Sequence, residues 1–450
     1  MSRQQQARTA VLSREEMQRL VGRALSFSQA EGCDVSIGCN VTGNTRFAAN
    51  QLTTAGVVED ANIQVQSTFG SKHAVVTSND LSDESLRRVV RQSEALARLA
   101  PDDPEAMPPL PQQRYQAVSA WFDATANVTP EARARAALTA LEEARRSSDL
   151  RAAGFIVTGG SSNCVANKAG LFAYHRNTYS NYGLTVRTLD GTGSGWAGAD
   201  DQDWSRLDAQ QVSRRAIEKA RLSRDPTAVE PGRYTVILEP QAVADLVGLL
   251  AYYLDARQAD EGRSPFVREG GGNTIGERIV DPRVTILSDP RDPQLLSQPF
   301  DGNGLPLGRQ VWVENGVLRQ LYYDRFWAQR QNRAPTGAPA CVKMQGGDST
   351  LERMIASTER GVLVTHCWYL RETDPRTVMY TGLTRDGTFL IENGRISRSI
   401  RNFRFNESPL QVLNNVEAIG EAVRVGAGGD TVMPALKVRD FNFTSLSEAV

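Results

Sequence analysis

Residues 310–323 read QVWVENGVLRQLYY, and residues 388–399 read TFLIENGRISRS. Each places an Asn-Gly pair, Asn315-Gly316 or Asn393-Gly394, between alternating apolar positions. A type I′ turn needs positive φ at both central residues, which Asn and Gly tolerate, so each stretch predicts a tight hairpin. Working outward, everything after RDPTAVEPGRYTVILEP (224–240) is rich in strand and turn patterns. The C-terminal half is therefore expected to be largely antiparallel β, with one core helix over 240–255. That helix starts with Pro240, acceptable in a first turn, and is apolar at Val243, Leu246, Val247, Leu250 and Leu254.

The N-terminal half has a different rhythm. Ser13 and Glu16 stand at capping-box spacing before an apolar helical face of Met17, Leu20, Val21, Ala24 and Leu25. Period-two strands follow around Gly70, then a helix through Leu86, Val89, Val90 and Leu96. The segment APDDPEAMPPLPQQ (100–113) is too rich in proline for helix or sheet. After it the order restarts: a helix opened by Thr129 and Pro130, strands, a glycine-turned hairpin, and a helix capped by Asp208. RFAANQ (46–51) corresponds to NCVANK (163–168), and LSDESLRRVV (81–90) to LDAQQVSRRA (207–216). This indicates an internal duplication. The expected fold is α+β, with a duplicated N-terminal α/β unit over residues 1–228 (about 10–100 and 127–225, Pro-rich linker between) and a β-rich domain over 229–450.

The chain has 450 residues, 51 basic and 52 acidic, for a formal charge of −1. That balance provides no field to gather nucleic acid. No apolar run reaches the roughly 18 residues of a membrane span, and the first residues lack a signal-peptide core, so a soluble cytoplasmic protein is expected. Five cysteines, Cys33, Cys39, Cys164, Cys341 and Cys367, with no C-x-x-C pair, suit reduced thiols.

Few motifs carry chemistry. REGGGNTIGE has Ile275 where a G-x-G-x-x-G loop needs its third glycine, and TGSGW has Thr192 where G-x-S-x-G needs its first. The chain has three histidines, and only His366 stands beside a cysteine, Cys367. Neighbours on a strand point to opposite faces, so the two could not ligate one ion unless the strand were broken. A half-buried strand is the plainer reading of VTHCWYL (364–370). Asp255, Asp260 and Glu261, just past the 240–255 helix, read as solvated acids.

Several segments resemble, in order and spacing, the TldD/PmbA family of metallopeptidases, also called modulators of DNA gyrase. They are LEPQAVADLVGLLAYYLDARQADEGRSPF (238–266), SDPRDP (288–293), PFDGNGLPLGRQVWVENGVLRQLYYDRFWA (299–328), APTGAP (334–339), GTFLIENGRIS (387–397) and MPALKVRDFNF (433–443). The resemblance implies the two-part architecture above. It also implies two kinds of subunit. TldD-like chains carry H-E-x-x-x-H on the helix equivalent to 240–255, where two histidines hold zinc and the glutamate activates water. Those positions here, within Val247-Gly248-Leu249-Leu250-Ala251-Tyr252, are Val247, Gly248 and Tyr252. The family's metal-ligand cysteine, from a loop before the closing strand, is also missing from AVRVGAGGDTVMPALKV (422–438).

The resemblance therefore implies a TldE/PmbA-like, non-catalytic subunit without metal. Its partner would be a zinc-containing TldD-like chain, and the heterodimer would degrade or trim peptides entering as extended strands. Tyr252, Asp255, Ser264, His366 and Cys367 are the candidates for a peptide cleft. Two alternatives remain: an autonomous hydrolase using His366 and Cys367 with a carboxylate such as Asp255 or Glu372, and a homodimeric peptide-binding scaffold.

Overall fold

The computed structural model describes residues 11–426 and 431–447. Six strands, β1 (Gly32–Ala48), β2 (Gln51–Phe69), β3 (Lys72–Ser78), β4 (Leu150–Asn167), β5 (Phe172–Thr188) and β6 (Ser194–Asp201), form one antiparallel sheet. Its order, β3-β2-β1-β4-β5-β6, reads the same from either end if the two halves are exchanged. The first strands of the halves, β1 and β4, pair in the middle.

The matched sequence segments fall at matching places. Asn50 (φ 62°) turns β1 into β2, and its side chain donates to Leu150 O at 2.8 Å and accepts from Ala152 N at 2.7 Å. Asn167 ends β4, its Oδ1 accepting from Ala169 N and Leu171 N. An Asx side chain satisfying backbone donors explains why both turns keep Asn. The other pair gives helix caps: Ser82 opens the helix Asp83–Leu99, and Asp208 opens Ala209–Leu222.

Residues 101–119 form neither helix nor strand, as their prolines dictate, yet they are well tied down. Leu110 O accepts from Asn167, Pro108 O accepts from Arg325, and Tyr115 donates to Gly304 O at 2.7 Å. Arg257 grips Glu105 with two bonds of 2.8 Å. The segment is a strap from the first sheet to the second half of the chain.

That half is built on an 11-stranded sheet. It comprises β7 (Gly232–Leu238), β8 (Ile286–Ser288), β9 (Gln310–Glu314), β10 (Val317–Leu318), β11 (Val342–Met344), β12 (Arg360–Asp374), β13 (Met379–Glu392), β14 (Arg395–Ser399), β15 (Phe403–Glu407), β16 (Val416–Arg424) and β17 (Thr431–Leu446). Both Asn-Gly turns have the expected positive φ, 49° and 78° at Asn315-Gly316 and 51° and 74° at Asn393-Gly394. Most pairings are antiparallel, but β7–β12 and β11–β17 are parallel. Because β17 pairs with both β15 and β7, the strands β7, β12, β13, β15 and β17 close on themselves. Phe403, Phe441 and Phe443 pack together, the Phe403–Phe443 rings 4.4 Å apart. Such a pair adds about 0.5–1.5 kcal/mol beyond its buried area.

The helix expected over 240–255 is shorter. An α-helix covers Pro240–Val247, and Gly248–Tyr253 tightens into a 3₁₀ segment. Gly248 weakens an α-helix by up to about 1 kcal/mol relative to Ala. In the tighter winding, Val247, Leu250 and Tyr253, three residues apart, all reach the core. Asp255 lies outside the helix and caps the next one, Ala256–Asp260, by accepting from Gln258 N at 2.9 Å. Among the described residues, no helix is long and apolar enough to cross a membrane.

Candidate functional site

The stretch Pro240–Tyr253 is where the resemblance places catalytic groups, and its side chains diverge. Val247 is 2% exposed, inside the apolar core, whereas Tyr252 is 75% exposed. A Cβ at Gly248 would meet nothing within 4 Å. Valine and glycine side chains offer no donor atom, and a phenol titrates near 10, so this set does not fit zinc. Among the described residues, no three His, Cys, Asp or Glu side chains group as a metal site. The loop expected near Gly426 runs into residues 427–430, which lie outside the described residues.

Beside the 3₁₀ segment lies a group of which sequence reasoning named only Glu372, as a carboxylate for the autonomous-hydrolase alternative. Tyr253 donates to Glu372 and stands 3.1 Å from the Tyr380 hydroxyl. Burial, then the bond to Glu372, raise the Tyr253 pKa above the ordinary tyrosine range. Only the pairing of β12 with β13 brings Glu372 opposite Tyr380. No local pattern marks Tyr380, and Glu372 accepts from Tyr253 instead of serving His366 and Cys367.

Asp245, also unmarked in the sequence, is partly buried on the helix. It accepts from Gln241 Nε2, one turn back, and from the Cys367 backbone N–H, both at 2.8 Å. Burial pushes its carboxyl up to about 7, against the lowering effect of these two bonds. Asp245 thereby fastens β12 to the helix and fixes which way Cys367 and His366 face.

They face apart. Cys367 is packed in the core, and burial, then the Asp245 charge, raise its thiol well above the usual range. A nucleophilic cysteine needs the opposite shift. His366 lies on the other side of β12, 5.1 Å from the Trp196 ring, with Nε2 3.6 Å from Asp386 Oδ2. Burial depresses its pKa to about 4, outweighing the Asp386 charge. The structure therefore does not form the His366–Cys367 pair of the autonomous-hydrolase alternative, because successive strand residues project to opposite faces.

Asp386 is the partner that the sequence obscured. It sits at φ 52° beside Gly387 (φ 123°), where the β12–β13 register slips between Val364 and His366. An Asp-Gly pair inside a strand pattern is the available signal for this bulge. The bulge turns the carboxylate toward β6, where Ser194 donates to it at 2.5 Å. Ser194, Asp386 and His366 thus form a chain with the acid in the middle. A hydrolytic triad needs the base between nucleophile and acid.

The remaining predicted cleft residues are dispersed. Ser264 is fully buried, its Oγ accepting from Phe266 N, and therefore lines no open cleft. Asp255 serves as a cap, and Asp260, expected to be solvated, accepts from Asn273 and from Trp327 Nε1. Tyr252 alone of the cleft candidates is broadly exposed, while His366 borders a cavity between the two halves of the chain.

Comparison with known proteins agrees with this architecture. Residues 125–224 match the profile described as the PmbA/TldA metallopeptidase central domain, and residues 231–445 its C-terminal domain. A metalloprotease of Methanothermobacter thermautotrophicus is 26% identical over 241 residues, half of each chain. One from Archaeoglobus fulgidus is 27% identical over 172 residues, 34% of this chain and 38% of the relative. Among solved structures, TldE from Thermococcus kodakarensis superposes with a TM-score of 0.84 at 16% identity, covering 95% of this chain and 99% of that one. A candidate DNA gyrase modulator from Thermotoga maritima gives 0.84 at 17%, covering 95% and 100%. The profiles take in more than half of the sequence, with the duplicated sheet and β-rich second half around them: the chain belongs to the TldD/PmbA family of metallopeptidases.

Proposed function

We propose that this chain is the non-catalytic, TldE/PmbA-like subunit of a peptide-degrading or peptide-trimming complex, and that a TldD-like partner supplies the zinc and the H-E-x-x-x-H motif. The observation that carries this reading is the state of the helix: Val247 is sealed in the core, Gly248 has no side chain, and Tyr252 points to solvent. Without the partner there is no group to polarise a peptide carbonyl or activate water at that position. Co-expression with a TldD-like chain from the same genome, followed by affinity capture and mass measurement, tests the pairing. The expected result is a stable heterodimer that cleaves peptides, with zinc in the partner. Stoichiometric zinc in this chain purified alone, or peptidase activity of the isolated chain, would overturn the reading.

A further inference from the structure

Beneath the helix Pro130–Arg146, on the face of the first sheet that this helix covers, lies a patch of buried polar atoms without partners. Arg133, in the first turn of the helix, is 1% exposed. Its guanidinium lies flat against Gly43 of β1, with Nη2 2.6 Å from the place a Cβ on that glycine would take, so only glycine leaves room for it. Nη1 donates to Thr158 Oγ1 at 3.0 Å and to Val128 O at 3.1 Å. Among the described residues, Nε and Nη2 have no hydrogen-bond partner, and neither do the hydroxyls of Thr45 and Tyr182, which are buried as completely. Strand pairing gathers these residues on one face. Thr45 lies two residues along β1 from Gly43, Thr158 is the direct partner of Gly43, and Ile156 is the direct partner of both Thr45 and Tyr182.

The charge of Arg133 is as poorly matched as its donors. The one acid that favours it, Glu131, is exposed to solvent, and the positive end of the helix dipole adds to the local positive potential. A guanidinium keeps its proton in a protein, and a buried cation is tolerated when it is paired. Water would satisfy the loose donors and leave the charge unmatched; a small anion does both. We propose that Arg133, with the Thr45 and Tyr182 hydroxyls as further donors, holds a single halide ion, chloride in the cell, between the sheet and the helix. One guanidinium matches one negative charge, and complete enclosure suits a monatomic ion. The site rests on its own donors and does not depend on the heterodimer reading.

An ion enclosed in this way binds the folded chain alone and stabilises it by mass action. Thermal unfolding of the full chain in sodium gluconate, with chloride or bromide replacing gluconate at constant ionic strength, tests the site, because gluconate is too bulky to enter it. The melting temperature is expected to rise by about 3 °C or more for each tenfold increase in halide once the site begins to fill. Arg133→Leu removes the charge together with its need for an anion, and is expected to lose the halide dependence. Thr45→Val removes one donor at nearly constant shape, and is expected to need about tenfold more chloride for the same rise. Crystals grown in bromide are expected to show an anomalous-scattering peak beside Arg133 and Thr45; this peak and Thr45→Val decide the matter if Arg133→Leu does not fold. Equal melting temperatures in chloride and gluconate, an undiminished halide response in either folded variant, or bromide crystals with water alone beside Arg133 would overturn the proposal.

Discussion

Asp245 shows what one partly buried side chain contributes. Its folded-state pKa, about 7 against an ordinary 3.8, means that the folded chain keeps a proton which the unfolded chain has lost between these values. The stabilisation from holding that proton is complete below about pH 4 and is lost as pH rises through about 7. The shift corresponds to roughly 4 kcal/mol at most. Asp245→Asn removes this dependence while keeping an acceptor for the Cys367 N–H. The melting temperature of the variant relative to the parent is expected to climb from about pH 4 to about pH 7 and to level off above that; a constant difference across this range would rule out a titrating Asp245. Gly387 is a second site where one atom decides. An added Cβ would lie 2.7 Å from Thr365 Oγ1, at a φ of 123° that L residues avoid. Gly387→Ala is expected to cost about 1–3 kcal/mol in denaturant unfolding. An unchanged midpoint would show that the bulge tolerates a side chain.

At the scale of elements, legibility followed local chemistry. Ser13 with Glu16, Thr129 with Pro130, and Asp208 announced helices, and the side chains of Ser13, Thr129 and Asp208 each accept a capping bond. The Asn-Gly pairs announced hairpins because positive φ is a property of the residue itself. The helix at 240 was legible in its start and in its buried positions but not in its length. Whether Gly248 continues an α-helix depends on what Leu250 and Tyr253 find to pack against, which no local pattern encodes. This geometry also bears on restoring the family motif. Val247→His, Gly248→Glu and Tyr252→His together would put one imidazole into the apolar core and the other into solvent. The triple variant is expected to bind less than one zinc per chain by elemental analysis and to melt below the parent; one tightly held zinc would show that the segment rewinds to bring both histidines together.

At the scale of the whole molecule, the two halves are joined along β6 and the helix Ala209–Leu222. Besides Ser194 with Asp386, Arg424 pairs with Asp200 at 2.6 Å, Lys219 pairs with Glu239 at 2.6 Å, and the Pro-rich strap crosses on the far side. Ser194 is therefore a link between halves as well as a residue of the first sheet. Ser194→Ala would leave a buried carboxylate oxygen without its donor, a loss of about 1.5–3 kcal/mol for a bond to a charged group. The variant is expected to unfold at correspondingly lower denaturant. Stability within 0.5 kcal/mol of the parent, a threshold set at roughly the effect of a neutral surface change, would mean that water replaces the serine.

The sequence by itself determined the division into a duplicated α+β half and a strand-rich half, the caps, the tight turns and the absence of side-chain ligands at Val247 and Gly248. These follow from periodicity, from backbone preferences and from which atoms each residue carries. Only the tertiary structure decided that β17 would bridge β15 and β7 to close five strands into a ring, that β7 and β12 would run parallel, and that Asp386 would reach Ser194 almost two hundred residues away. It also separated His366 from Cys367 and placed Arg151 and Arg385, from opposite halves, around one cavity. The physical reason is that strand pairing and side-chain burial are contacts between distant segments, and their energy depends on register and packing that no short stretch of residues specifies.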